Sequence, residues 1–254
     1  MPEKIDKCPV CNSKKYETYL EFPDLGGFLM CECGAAYLNE RMTDEEQHEY
    51  YKSGAYRAKT GEKISDEREL SMQQKRAGIV TRMISPFKIR SHLDIGCSSG
   101  ELIKSVAEGK GKSFRSAGVD LDPTWTGGVA NLYSTIDEVR GKYDLITMIH
   151  ILEHLNKPKE MLRKVKDRLS PGGVLLIEVP NRRAYLAAYA IPNHVVAYDL
   201  VSLGKLVVNS GFSIIAHSLH GWLFDVPLDL YISIFATNDK ELCSERYTDS
   251  NQGN

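Results

Sequence analysis

Glycines at positions 96 and 100 bracket the run Gly96-Cys97-Ser98-Ser99-Gly100, directly after the apolar stretch His92-Leu93-Asp94-Ile95. Glycine tolerates positive φ and lets a ligand approach the backbone closely, so a strand running through such a turn into a helix can cradle a small polar ligand. Twenty residues after Gly100, the run Ala117-Gly118-Val119 ends in Asp120, whose carboxylate can accept both hydroxyls of a ribose. Two other chemistries use similar glycines. A dinucleotide site asks for G-x-G-x-x-G, and here the second glycine position holds Ser98. The same five residues match G-x-S-x-G, the nucleophile elbow of serine hydrolases, which needs a later acid and histidine and an oxyanion loop on an earlier strand. Neither rival requires Asp94.

Further groups of catalytic type follow. His150 and the pair Glu153-His154 come just after the apolar run Tyr143-Asp144-Leu145-Ile146-Thr147-Met148-Ile149, at the strand end where open α/β sheets bind ligands. Histidine titrates near neutrality, so His154 is the first candidate for a general base, with Glu153 beside it and His194 second. Near the start of the chain, Cys8 and Cys11 form C-x2-C, while Cys31 and Cys33 form C-x-C followed by Gly34. Four thiolates can hold zinc tetrahedrally with no open position, which is a structural role; four reduced thiols packing a small core is the alternative.

Regular elements must position these groups. Thr43-Asp44-Glu45-Glu46 reads as a capping box opening a helix that ends near Ser53-Gly54. The segment from Ser65 to Ser85 is an amphipathic helix ending before Pro86, with Leu70, Ala77, Val80, Met83 and Ile84 near helical spacing. From Ser91 onward, β-rich runs alternate with helical patterns, which predicts a parallel sheet covered by helices. Asn156 is the expected N-cap of the helix holding Met161, Leu162, Val165 and Leu169, and Ser170-Pro171-Gly172-Gly173 stops it before the run Val174–Val179. A helix around Asp199–Asn209, a strand near Phe212–Ala216 and a run Leu228–Ala236, expected as an antiparallel edge, complete the pattern.

Leu93-Asp94-Ile95-Gly96-Cys97-Ser98-Ser99-Gly100 resembles motif I of class I S-adenosylmethionine-dependent methyltransferases, and Gly118-Val119-Asp120-Leu121-Asp122-Pro123 resembles their motif II. The run from Tyr143 through Glu153-His154-Leu155 is similar to their fourth strand and the Glu-His turn after it, and Leu169 to Asn181 to their fifth strand. The resemblance implies a Rossmann-like, doubly wound, mostly parallel α/β sheet with an antiparallel last strand. It also implies S-adenosylmethionine as cofactor. The loop from Asp94 to Gly100, with Gly96 and Cys97, would hold its amino acid end, Asp120 its ribose and Leu121 its adenine, with Ser134 and Thr135 facing the adenine and His150 also among the cofactor-binding residues. His194 follows the fifth strand, where family members often close the acceptor site. Met30 to Asn39 and the later Tyr50-Tyr51 resemble the zinc ribbon at the front of bacterial sugar and natural-product methyltransferases, one residue short in the second cysteine pair. In that family the segment holding Tyr56 lies over the cofactor.

The organisation expected is a zinc-ribbon-like module at 1–42, a helical connector at 43–88, a cofactor-binding domain at 89–240 and a flexible tail at 241–254. The 254 residues are 42% hydrophobic and 26% charged with a formal net charge of −2, which excludes collagen, disorder and a disulfide scaffold. No run approaches the ~18 apolar residues of a membrane span and the start lacks an apolar signal core, so a cytoplasmic protein without membrane partners is expected. The expected function is methyl transfer to a small-molecule acceptor, a sugar or related metabolite. RNA is the alternative acceptor, because a zinc ribbon is also fused to a methyltransferase in a ribosomal RNA enzyme family, and a non-catalytic cofactor-binding module is the third reading. The basic helix with Lys157, Lys159, Arg163, Lys164, Lys166 and Arg168 is interrupted by Glu160 and Asp167, the pattern of a solvated face, and the near-neutral chain lacks the positive field that nucleic acid attracts.

Overall fold

A computed structural model describes residues 3–22, 26–56, 67–122, 129–184, 189, 193–221 and 226–239. Five short strands come first: β1 (Glu3–Lys4), β2 (Tyr16–Phe22), β3 (Gly26–Cys31), β4 (Ala36–Leu38) and β5 (Glu40–Arg41). Helices α1 (Asp44–Lys52) and α2 (Glu67–Ile84) lead into β6 (Ser91–Ile95), α3 (Glu101–Ala107), β7 (Arg115–Val119), β8 (Leu132–Tyr133) and β9 (Tyr143–Ile149). Then follow α4 (Pro158–Arg168), β10 (Leu169–Pro180), β11 (Val196–Ala197), α5 (Leu200–Asn209), β12 (Ser213–His220) and β13 (Tyr231–Thr237). The expected tail at 241–254 lies outside the described residues.

Seven strands form the main sheet in the order β12-β13-β10-β9-β6-β7-β8. Neighbours from β10 to β8 pair in parallel, and β13 runs antiparallel to both β10 and β12. The reversed strand is therefore not an edge, as the sequence suggested, but lies inside, with β12 outermost. Burial explains the order: all seven residues of β13 are buried, whereas β12 leaves Ala216, His217 and Leu219 exposed.

Side chains of successive strand residues alternate between faces. Leu93, Ile95, Ile146, Met148, Leu175 and Ile177 join Leu162, Val165, Leu203 and Leu206 of α4 and α5 in one core. Leu145, Val174 and Leu176 join Val80 and Ile84 of α2 and Val106 of α3 in another. Helices thus cover both faces of the sheet, and the second core faces α2.

Thr43 and Glu46 form the expected capping box on α1, with Glu46 N–H donating to Thr43 Oγ1 at 3.2 Å and Thr43 N–H to Glu46 Oε2 at 2.9 Å. Asn156 does not cap α4, which starts at Pro158. Its amide donates instead to Met42 O at 2.9 Å and Asp44 Oδ1 at 3.1 Å, because those bonds tie α1 to the main sheet and are worth more buried than a cap at a solvated helix end.

The front segment makes a four-stranded sheet in the order β11-β4-β3-β2, so its last strand comes from residues 196–197. Asp199, 1% exposed, locks the junction. Its carboxylate caps α5 by accepting Ser202 N–H at 2.8 Å, and it accepts from Arg182 Nη2 at 2.7 Å while Arg182 Nε donates to Gly34 O at 2.7 Å. Removing a helix cap costs about 0.5–2 kcal/mol, and stranding a buried partner charge about 3–5 kcal/mol. Asp199→Ala is therefore expected to lower the unfolding free energy in urea by at least about 3 kcal/mol; a change under about 1 kcal/mol would show that Arg182 finds another partner.

Candidate active site

The glycine loop sits between the carboxyl end of β6 and the start of α3. Gly96 and Gly100 have φ of +75° and +77°, and Ser98 has φ +46°. A Cβ on Gly96 would lie 2.0 Å from Ile151 Cδ1, so the loop and the turn after β9 touch at this glycine. Asp120, just past β7, accepts Ser98 N–H at 2.8 Å on Oδ2 and Asp122 N–H at 3.0 Å on Oδ1. Those two bonds hold the carboxylate in place just past the end of β7 and against the glycine loop. Leu121 follows it, half-buried.

Cys97 is 4% exposed, and its sulfur fills the space that a Cβ on Gly118 would occupy, at 2.4 Å. Burial pushes its thiol up, which removes it as a nucleophile, and it offers a ligand only its backbone. Ser98 Oγ accepts from Gln73 Nε2 at 3.5 Å, and Ser99 O–H donates to Gln73 Oε1. Gln73 rather than a histidine partners the Ser98 hydroxyl, so the hydrolase constellation is not assembled there. Gln73 was not singled out from sequence, although it is a polar residue on the line that Ala77, Val80 and Ile84 share on α2.

Asp94, 4% exposed, lies beneath the loop. Thr147 O–H donates to its Oδ1 at 2.5 Å, and His92 Nε2–H donates to Thr147 Oγ1 at 2.8 Å. Burial is the largest influence on Asp94 and raises its pKa to about 7 against the opposing Thr147 bond, with the charge on Asp120 adding to the rise.

Past β8, Ser134 is exposed and its N–H donates to Glu138 Oε2 at 3.0 Å, while Thr135 precedes a short 3-10 turn. Asp120 N–H donates to Tyr133 O at 3.0 Å, which sets both residues beside the carboxyl end of β7.

The turn after β9 carries the other group. His150, with φ +55°, places Nδ1 3.1 Å from Glu153 Oε1 and Nε2 3.3 Å from Glu178 Oε1. Burial and Arg76 oppose charge on His150, yet the two carboxylates outweigh them and raise its pKa. Burial likewise opposes charge on Glu153, but the His150 bond wins and lowers it to about 2; Glu178 is lowered in the same way by His150 and His220. Glu178 is an acid inside the apolar run that ends β10, which is a signal that sequence reading passed over. His154 Nδ1 lies 3.1 Å from Asn193 O, and its ring meets that of His194 edge to face at 4.7 Å and that of Tyr51 at 6.0 Å. Burial lowers the pKa of His154. The Tyr56 ring lies tilted against that of Tyr51 at 5.1 Å and so approaches His154 through that ring.

In the front module Cys8 Sγ lies 3.7 Å from Cys33 Sγ, and Cys11 Sγ lies 3.5 Å from Cys31 Sγ; all four sulfurs fall within 4.8 Å of one another. Zinc–sulfur bonds of about 2.3 Å in a tetrahedron put sulfurs roughly 3.8 Å apart, so the cluster is compatible with zinc despite the shortened C-x-C. The Cys8–Cys33 hydrogen bond lowers Cys33 and raises Cys8, so the two thiols share a proton between them, and burial raises Cys31.

A family model described as methyltransferase domain matches residues 53–217, well over half of the chain. The ubiquinone biosynthesis O-methyltransferase of Saccharomyces cerevisiae mitochondria is 33% identical over 107 residues, 36% of this chain and 34% of that protein. The bacterial enzyme of the same name from Paraburkholderia phytofirmans is 34% identical over 114 residues, 38% and 47% of the two chains. The matches thus span between about a third and a half of the length of these curated relatives. Among solved structures, the plantazolicin methyltransferase BamL, in complex with a triazolic desmethylPZN analogue and SAH, superposes with a TM-score of 0.57 at 15% identity over 76% of this chain and 94% of that one. A SAM-dependent methyltransferase from Archaeoglobus fulgidus does so with a TM-score of 0.52 at 17% identity, over 68% and 100%.

Asp94 also yields an expected pH dependence. A carboxyl whose pKa is about 3.8 unfolded and about 7 folded binds its proton more tightly in the folded state, so stability falls as pH rises through that window. Asp94→Asn keeps an acceptor for Thr147 and removes the penalty, so its melting temperature relative to wild type should rise by at least about 3 °C between pH 5 and pH 8. A difference that stays flat would mean that Asp94 is ionised throughout.

Proposed function

The chain belongs to the methyltransferase-domain family, and from that premise we propose that it is a class I S-adenosylmethionine-dependent methyltransferase that methylates a hydroxyl oxygen of a small molecule, a sugar or related metabolite. One juxtaposition carries the proposal. Ile151 presses on Gly96, so the cofactor loop and the turn bearing Glu153 and His154 form the two walls of one site.

Gly96, the backbone of Cys97, Gly100 and Asp94 would hold the amino acid end of the cofactor, Asp120 its ribose hydroxyls, and Leu121, Ser134 and Thr135 its adenine. When bound, S-adenosylmethionine supplies a methyl group that the acceptor oxygen takes with its own electron pair as the carbon–sulfur pair returns to sulfur, the hydroxyl proton being lost. In-line displacement depends on positioning, and this chain's part is to hold the acceptor oxygen opposite the loop and ease loss of its proton. Glu153, His154 and His194 are the groups for that task, Tyr51 and Tyr56 wall the acceptor's side, and His150 keeps Glu153 ionised. The names of the relatives, which are O-methyltransferases, support oxygen as the receiving atom.

RNA fits less well. Lys164 pairs with Asp137 at 2.6 Å and Lys157 with Asp44, so the basic face of α4 is partly neutralised. The four front cysteines would hold a structural zinc and thereby fix the sheet that β11 completes. No helix among the described residues is long and apolar enough to cross a membrane.

The test is transfer of a labelled methyl group from S-adenosylmethionine, with hydroxylated metabolites in one arm and an RNA pool in another. Label is expected in a small molecule. Asp120→Ala should weaken cofactor affinity at least 10-fold, about 1.4 kcal/mol. His154→Ala should lower kcat by roughly 10²–10⁴-fold with cofactor affinity unchanged. Label found in RNA, or an Asp120 variant that binds as wild type does, would refute the acceptor class or the ribose assignment respectively.

A further inference from the structure

His154 is ill suited to strip a hydroxyl unaided, because its outer nitrogen is tied to a backbone carbonyl rather than to a carboxylate. We propose that Glu153, His154 and His194 together bind one divalent first-row transition-metal cation, and that the acceptor enters the open coordination positions of that cation through its oxygen. The proposal rests on the assignment of this end of the site to the acceptor.

Three observations converge. A carboxylate oxygen of Glu153 and ring nitrogens of His154 and His194 all lie within 4.8 Å of one another, a spread that side-chain rotation can close to metal–ligand distances of about 2.0–2.2 Å. Glu153 is 1% exposed; Oε1 meets His150, and Oε2 is buried with no hydrogen-bond partner. A desolvated carboxylate oxygen left so is costly, and a cation removes the cost. Third, Asn193 O can only accept, so His154 Nδ1 must carry the proton and Nε2 the lone pair. A histidine whose far N–H is held by a carbonyl is the usual tautomer of a metal ligand.

The surroundings suit a fixed centre. Val195 N–H donates to Glu153 O at 2.8 Å, and Gln47 Nε2 donates to His154 O at 2.7 Å, so the backbone of both ligands is pinned by distant segments. Two imidazoles and one carboxylate leave positions open for substrate, unlike the closed four-sulfur cluster in the front module. A cation there would bind the acceptor hydroxyl as a Lewis acid and lower its pKa, so that the proton leaves to water before the oxygen attacks, with no strong base required. The acceptor class this selects is one whose hydroxyl has a second oxygen on the neighbouring carbon, able to complete a chelate.

The test loads full-length protein with zinc and, separately, with manganese, and measures bound metal per chain after dialysis, together with affinity by titration. Wild type should hold one equivalent more than His194→Ala and Glu153→Gln, with affinity at that site reduced at least about 100-fold in each variant, beyond the 10–100-fold typical of lost outer partners. Both variants should keep the cysteine-bound equivalent and their affinity for S-adenosylhomocysteine, which controls for folding. Equal metal content in wild type and both variants, with either ion, would overturn the centre. So would unchanged methyl transfer in protein whose metal is confined to the cysteines, and that result would leave the methyltransferase assignment standing. Metal binding that depends on His194, in a protein that methylates no acceptor, would support the centre and refute the acceptor site instead.

Discussion

Two carboxylates are buried at the carboxyl ends of neighbouring parallel strands, and water does not reach them. Glu153 and Glu178 are 1% and 4% exposed, and at that depth a charge must find a partner within the protein. His150 lies between them, within ion-pair reach of each, while His220, Ser233 and Arg76 complete the shell around Glu178. The backbone at His150 is left-handed, an uncommon conformation for a residue other than glycine, and in it one imidazole faces both acids. With β9, β10, β13 and α2 all contributing, the network fixes the turn that carries Glu153 and His154 and sets it against Gly96.

The second constraint is the weld between the front sheet and the main domain. β11 pairs with β4, Leu38 N–H donates to Val195 O at 3.0 Å, and Tyr198 O–H donates to Leu152 O at 3.2 Å. His194 therefore stands where it does because the segment after it is a strand of the cysteine-bearing sheet. Disorder in the cysteine cluster would propagate to His194 through one register of hydrogen bonds. Through that link a metal held in the front module would bear on the position of His194 without any contact with substrate.

Much of this arrangement is legible in the residues themselves. The strand–glycine–helix turn at 93–102, the acid ending β7 and the Thr43-Glu46 cap are local features, and local rules recover them. Asn156 escapes such rules because its amide is claimed by Met42 and Asp44, more than a hundred residues away. The position of β13 between β10 and β12 is likewise a tertiary fact, although its continuous apolar run against the mixed β12 carries the clue. Gln73 and Glu178 are polar residues inside apolar patterns. That kind of violation marks a site, and periodicity alone reads past it. The convergence of His194 on Glu153 and His154 depends on chain pairing across 40 residues, and it is the family resemblance rather than any local pattern that points to His194.

The account stands on the assignment of the Asp94–Gly100 loop and Asp120 to S-adenosylmethionine. The most direct measurement is isothermal titration of the folded, zinc-loaded protein with S-adenosylmethionine and with S-adenosylhomocysteine, using NAD as the control. Saturable binding of both methionine nucleosides at one site per chain, with no heat from NAD, is the predicted result. Absence of binding by either nucleoside, or tighter binding of NAD, would contradict the assignment and return the glycine loop to a different ligand.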